Sequence, residues 1–166
     1  SFGALFTEGF YQFIVVLQNM YNPKLSRHFS TKNSYLLEEF ISNGIRLSYI
    51  LLTPLSLFSI LAYPTFLTLV TNNVDYAASI TPFTILIIGI SLAGGYIPFY
   101  NIFSMASLPG IQSVFMIVVV SVNVIMNLLL IPHYSIIGAS IGTSISTISS
   151  LFIFKYITRV NIKIKI

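Results

Sequence analysis

The chain has almost no charge. Of its 166 residues only 7% are Asp, Glu, Lys or Arg, whereas a soluble domain carries about 25%. No charged residue occurs between Asp75 and Lys155, a stretch several times longer than the roughly 20 residues that cross a bilayer. With 55% hydrophobic residues and a mean hydropathy of +0.89, this absence excludes a soluble protein and predicts a polytopic membrane protein.

The sequence also lacks the residues of common catalytic and metal sites. Cysteine is absent, which excludes a disulfide framework and a thiolate metal site, and the two histidines, His28 and His133, lie far apart in sequence. No phosphate-binding glycine loop or Ser-His-Asp set occurs, and the one carboxylate pair is Glu38-Glu39. We therefore predict no enzyme, no cofactor and no metal site. The net charge of +4 is assigned to membrane orientation instead of nucleic-acid binding.

Apolar runs separated by polar stretches predict an all-α, polytopic transmembrane bundle of about five spanning helices. Pro23 is expected to end the first helix because proline disfavours helix in the residue before it. A surface helix is predicted in the second half of the polar segment 22–43, and a tight turn at 132–135 is predicted between the last two spans. The five spans are expected at 3–21, 44–70, 80–106, 113–131 and 136–157.

The basic residues predict the orientation of the bundle. All eight fall in or beside the segment 22–43 or at the C-terminal end, and such residues collect on the cytoplasmic side. The segment 22–43 and the tail 158–166 are therefore predicted to be cytoplasmic, in a multi-pass protein of the cell membrane. The eight residues are Lys24, Arg27, Lys32, Arg46, Lys155, Arg159, Lys163 and Lys165.

A polar stripe marks the first predicted helix. Glu8, Gln12 and Asn19 fall within about 40° of one another, and the stripe is about 16 Å long. An ionisable residue at membrane depth indicates a functional site unless it is solvated near the interface. Two interpretations of Glu8 follow: it lines a cavity, or it lies at the outer membrane surface.

Polar and small residues also occur in the later helices. Asn123 and Asn127 are four residues apart, a spacing that suits either hydrogen bonding between helices or contact with a substrate. Gly138 and Gly142 begin a ridge of small residues that predicts close helix packing.

In the third span, Gly94, Gly95 and Pro98 predict a bend, and Asn101 lies one turn beyond it. The bend either gates transport or is a fixed shape. Asn101 is a further candidate for the lining of a substrate cavity.

The junction 127-NLLLIPHYSIIGASIGTSIS-146 resembles the polysaccharide and O-antigen flippases of the multidrug/oligosaccharidyl-lipid/polysaccharide exporter superfamily. Those proteins commonly have an Asn-rich helix, then Leu-Ile-Pro, an aromatic residue, Ile-Gly-Ala and further small residues. Ser135 departs from the pattern, which usually has glycine after the aromatic residue, and 18-QNMYNPKLSR-27 is a second similarity. The matching residues are Asn123, Asn127, Leu130, Ile131, Pro132, Tyr134, Gly138, Ala139, Thr143 and Ser144.

The resemblance implies two pseudo-symmetric lobes of six helices that translocate a lipid-linked oligosaccharide by alternating access. Because the chain begins with Ser1, we interpret it as most of the second lobe of a transporter with twelve or more helices, whose partner is a missing N-terminal lobe. The bilayer and a lipid-linked saccharide are the other expected partners. Alternatives are a cation-coupled drug exporter of the same superfamily, driven by H⁺ or Na⁺, and a structural or enzymatic membrane protein whose active part lies elsewhere.

Overall fold

A computed structural model describes residues 2–30, 34–70 and 74–164 of the chain. Helices make up 93% of these residues, and no strand occurs among them. Lys32, Lys165 and residues 71–73, which follow the second predicted span, lie outside the described residues. The elements are α1 (Phe2–Ser30), α2 (Ser34–Val70), a 3-10 helix (Val74–Ser79), α3 (Ile80–Ala93), a 3-10 turn (Ile97–Phe99), α4 (Ile102–Met105) and α5 (Pro109–Asn161).

Helix α1 continues through Pro23 to Ser30 and does not end at Tyr21, where the sequence predicted a boundary. Tyr21 and Leu25 lie on either side of the proline, and both are buried in the same core cluster. The Tyr21 hydroxyl also donates to the carbonyl of Gly44, 3.3 Å away. Packing on one face of the helix therefore offsets the backbone hydrogen bond that proline removes.

Helix α2 joins the predicted surface helix to the predicted second span without a break. Leu37, Ile41 and Ile45 are buried at intervals of four residues, and Ser48 and Leu52 continue the same buried face. One buried face therefore runs through both segments, which form a single continuous helix. The start of the second span at residue 44 stays a prediction.

The third predicted span is broken after α3. The axes of Ala77–Ala93 and Ile97–Met105 differ by 56°, and the break begins at Gly94 and Gly95, where the sequence predicted a bend. Both glycines are buried. A Cβ on Gly95 would lie 2.3 Å from the ring of Tyr49 in α2, so only glycine allows this close approach.

Helix α5 doubles back on itself at Ser135, the last residue of the predicted turn. Ser135 has non-helical angles, φ 49° and ψ −124°. The Ser146 hydroxyl donates to the Val119 carbonyl 3.1 Å away, and the two residues are 27 positions apart. In a straight helix residues at this separation would be about 40 Å apart. The two arms of α5, residues 109–134 and 136–161, are therefore antiparallel helices.

The elements form a bundle with two core clusters. One cluster joins α1, the start of α2, the α3–α4 break and both arms of α5, and includes Leu25, Ile41 and Phe154. The other includes Phe10, Tyr63, Phe83 and Ile87, from α1, α2 and α3.

Two described helices, Tyr35–Leu69 and Pro109–Asn161, are long and apolar enough to cross a membrane, with a third if the bent pair is one span. The fold is thus that of a membrane-embedded helical protein. The finer count of five spans stays a prediction.

Candidate functional site

The polar stripe of α1 lies on the face turned away from the rest of the bundle. Phe10 and Ile14 are buried against α2 and α3, whereas Glu8, Gln12 and Asn19 are all exposed. At 100° per residue the stripe is about 150° around the helix from the buried face. The described residues bury none of these three side chains, so the stripe is accessible from outside the bundle.

Asn123 and Asn127 lie elsewhere, at the crossing of the two arms of α5. The amide of Asn127 donates to the Asn123 side-chain oxygen, 3.0 Å away. Asn127 packs on Gly142 of the opposite arm so closely that a Cβ there would lie 2.6 Å from its side-chain oxygen. Among the described residues, no hydrogen bond links this pair to the stripe on α1. Both asparagines belong to the first arm, so their hydrogen bond does not join two helices, and the buried Asn127 side-chain oxygen has no hydrogen-bond partner among the described residues. Both interpretations of the pair stay predictions.

The second arm of α5 packs closely against both the first arm and α3, which explains why it is rich in small residues. Gly138 and Gly142 face the first arm, and a Cβ on Gly138 would lie 2.2 Å from the Leu130 carbonyl oxygen. On another face, the Ser144 hydroxyl donates to the Ile85 carbonyl of α3 at 2.9 Å, where Gly89 makes room for it. The packing role predicted for the small residues is confirmed.

Asn101 lies in the break between α3 and α4. It is half-buried, and its backbone carbonyl accepts the amide of Met105 at 3.1 Å. Buried aromatic residues surround this segment: the ring of Tyr21 stacks on that of Phe99 with centroids 4.8 Å apart. The predicted bend is therefore packed on several sides, in contrast with the open stripe on α1.

Sequence reasoning missed a contact between the last helix and the break. The Lys155 ammonium lies 4.6 Å from the centre of the Tyr96 ring, a cation–π distance. Tyr96 in turn meets the ring of Tyr49, whose hydroxyl donates to the Leu92 carbonyl at 2.7 Å. Lys155 and Tyr96 are far apart in sequence, so no local signal could have paired them.

The positive charge of the described chain is concentrated in one half of the bundle. Each described basic residue is close in sequence to members of the core cluster that contains Leu25, Ile45, Phe154 and Ile164. The stripe residues Glu8 and Gln12 belong to the other half. The described residues include no group of three or more His, Asp or Glu side chains that could hold a metal ion.

Comparison of the chain with protein-family models, with curated proteins and with solved structures gives no significant match.

Proposed function

We propose that this chain is part of a membrane transporter that translocates lipid-linked oligosaccharides across the cytoplasmic membrane by alternating access. The proposal starts from the similarity of residues 127–146 to polysaccharide flippases. It includes five crossings: α1, α2, the bent α3–α4 unit and the two arms of α5. Each arm has 26 residues, about 39 Å of helix, which exceeds the roughly 30 Å of the hydrocarbon core.

The observation that carries the proposal is the face that α1 leaves uncovered. Helix α1 is not among the helices apolar enough to cross a membrane by composition, yet one side of it is buried against α2 and α3. Its other side exposes Glu8, Gln12 and Asn19. Such a face is unfavourable against lipid and suits a water-filled cavity shared with a second lobe. Carboxylate and amide groups there can hydrogen-bond the hydroxyls of a saccharide.

The proposal is tested by measuring lipid-linked glycan in each leaflet of cells that lack the gene. If translocation is the missing step, the lipid-linked glycan accumulates on the cytoplasmic leaflet and surface glycan is lost. An unchanged glycan pool in both leaflets contradicts the proposal.

The role of the stripe is tested separately in the full-length protein with Glu8→Gln combined with Gln12→Leu. The expected result is loss of surface glycan at normal protein level. Glu39→Gln is the matched control, because Glu39 is also exposed but lies on α2, away from the stripe. If the double variant exports glycan as well as the control does, the stripe is not part of the transport path.

A second candidate is a cation-coupled drug exporter, which the exposed Glu8 favours. Glu8 is the only charged residue in the first 23, and an uncovered carboxylate at membrane depth suits proton or Na⁺ coupling. Efflux of a cationic dye that is abolished by Glu8→Gln, with surface glycan unchanged, would select this candidate over the flippase.

A further inference from the structure

An apolar groove runs between α1 and α2 in the half of the bundle that is remote from the basic residues. Its volume is about 560 Å³, and aromatic and aliphatic side chains dominate its lining. Several of them are exposed: 56% of the Phe13 surface and 68% of the Phe58 surface are uncovered. The lining includes Leu5, Gly9 and Phe13 from α1 and Leu55, Phe58 and Phe66 from α2.

Gly9 keeps the groove open. A Cβ at this position would meet nothing within 4 Å, so the space above the helix backbone is free. Phe6 and Phe66, whose ring centroids are 4.7 Å apart, are part of the lining of the groove. Tyr63 and Phe83 stack at 4.0 Å beside it. The groove is thus lined largely by aromatic side chains, with one glycine on its α1 side.

The groove adjoins the polar stripe on the same helix. Gly9 and Phe13 follow Glu8 and Gln12 directly in sequence, so a turn of about 100° around α1 leads from one surface to the other. Glu8 and Gln12 lie outside the lining of the groove, on the neighbouring exposed surface of α1. An amphiphile suits the two surfaces together, because its hydrocarbon chain can fill the groove while its polar head group contacts the stripe.

We propose that this groove binds the hydrocarbon chain of the lipid-linked saccharide during translocation. This proposal rests on the proposed function. It adds where the hydrocarbon chain of the substrate binds, which is between α1 and α2 of this bundle. Burial of the chain against aromatic side chains stabilises it by the hydrophobic effect. The neighbouring stripe gives the groove its preference for a lipid that carries a saccharide.

The test is photo-crosslinking in the full-length protein with two probes that carry the same photoreactive hydrocarbon chain. One probe is a polyprenyl diphosphate disaccharide and the other is a phosphatidylcholine. The variant Gly9→Phe adds a ring to the α1 side of the groove, at a position where a Cβ meets no atom within 4 Å. Gly110→Phe is the matched control, because a Cβ at Gly110 also meets nothing within 4 Å and this residue lies at the start of α5.

We expect the saccharide probe to label peptides that contain Leu5–Phe13 and Leu55–Phe66. Gly9→Phe should lower this labelling about tenfold, because the added ring occupies space that several methylene groups would fill. Gly110→Phe should leave it unchanged. Equal labelling by the phosphatidylcholine probe contradicts the proposal, since the groove would then hold bulk lipid.

Two further outcomes separate the groove from the proposed function. Labelling by the saccharide probe elsewhere in the protein, unaffected by Gly9→Phe, overturns the groove and leaves the flippase proposal standing. Absence of specific labelling by the saccharide probe, together with normal surface glycan in cells that lack the gene, overturns both.

Discussion

Ser135 carries the backbone conformation that lets α5 reverse. Its φ of 49° and ψ of −124° belong to a region that glycine populates readily and other residues rarely. The flippases that this chain resembles usually have glycine at this position. The residue at which the chain differs from their pattern is therefore also the strained one. The strain is local, and it is offset by the packing of the two arms on each other.

Ser135→Gly is therefore expected to stabilise the protein. Relief of the strained φ is worth of order 1–3 kcal/mol, and the greater freedom of glycine in the unfolded chain costs about 0.5–1 kcal/mol. The net gain is about 1 kcal/mol, measured as a higher midpoint of thermal unfolding in detergent. Ser135→Ala retains the Cβ and should show no gain, and equal midpoints for the two variants would contradict a strained backbone at this residue.

At the scale of the element, the two arms of α5 depend on glycine where they cross. A Cβ on Gly138 would lie 2.2 Å from the Leu130 carbonyl oxygen and 2.6 Å from its carbonyl carbon, and backbone atoms cannot move aside as a flexible side chain can. The crossing must therefore open if any side chain is added here.

We expect Gly138→Ala to lower the stability of the protein by about 1–3 kcal/mol, the usual cost of overpacking. Gly110→Ala serves as the control, because the space around Gly110 is open and its exposed position tolerates a methyl group. Thermal unfolding of both variants in the same detergent tests this. A Gly138→Ala midpoint equal to that of the control would mean that the arms are farther apart than in the structure.

The bend between α3 and α4 is another element whose role can be tested. Phe99 lies against Gly44 of α2, Tyr49 lies against Gly95, and Leu52 lies against Gly94. All three contacts join the break to α2, so a change in the bend angle would have to separate these closely packed groups. The structure thus favours a fixed shape over a gate.

Spin labels at Leu92 and Ser104, which are both exposed on opposite sides of the break, are expected to give one narrow distance distribution. The distribution should be the same with and without added substrate lipid, because the packed glycines fix the angle. Two resolved distances, or a shift on adding the lipid, would instead make the bend a moving part. Labels at Ser113 and Tyr156, on the two arms of α5, control for motion of the labels themselves.

The elements that sequence predicted well are those specified by local chemistry. The reversal at 132–135 and the bend at Gly94 and Gly95 follow from residues within a single turn. The helix end predicted at Pro23 was wrong, because burial of Tyr21 and Leu25 by distant residues outweighs the local preference of proline. The separation of Asn127 from Glu8 depends on the whole bundle, which the periodicity of one helix cannot reveal.

At the scale of the whole molecule, the arms of α5 place residue 133 and residue 161 at opposite ends of the bundle. His133 and Asn161 are both exposed. The second arm of α5, which separates them, is about 39 Å long. If each arm crosses the membrane, these two residues lie on opposite sides of it. The basic residues predict that residue 161 is on the cytoplasmic side.

The absence of cysteine from these 166 residues makes this arrangement directly measurable. Single substitutions His133→Cys and Asn161→Cys are introduced into intact cells, and a membrane-impermeant maleimide is added. The first is expected to react at once and the second only after permeabilisation, because a charged reagent does not cross the hydrocarbon core. Leu128→Cys, on the exposed apolar surface of the first arm, should stay unlabelled in both conditions. Reaction of both test residues from the same side would mean that the arm between them does not cross the membrane, and the count of five crossings would then fall.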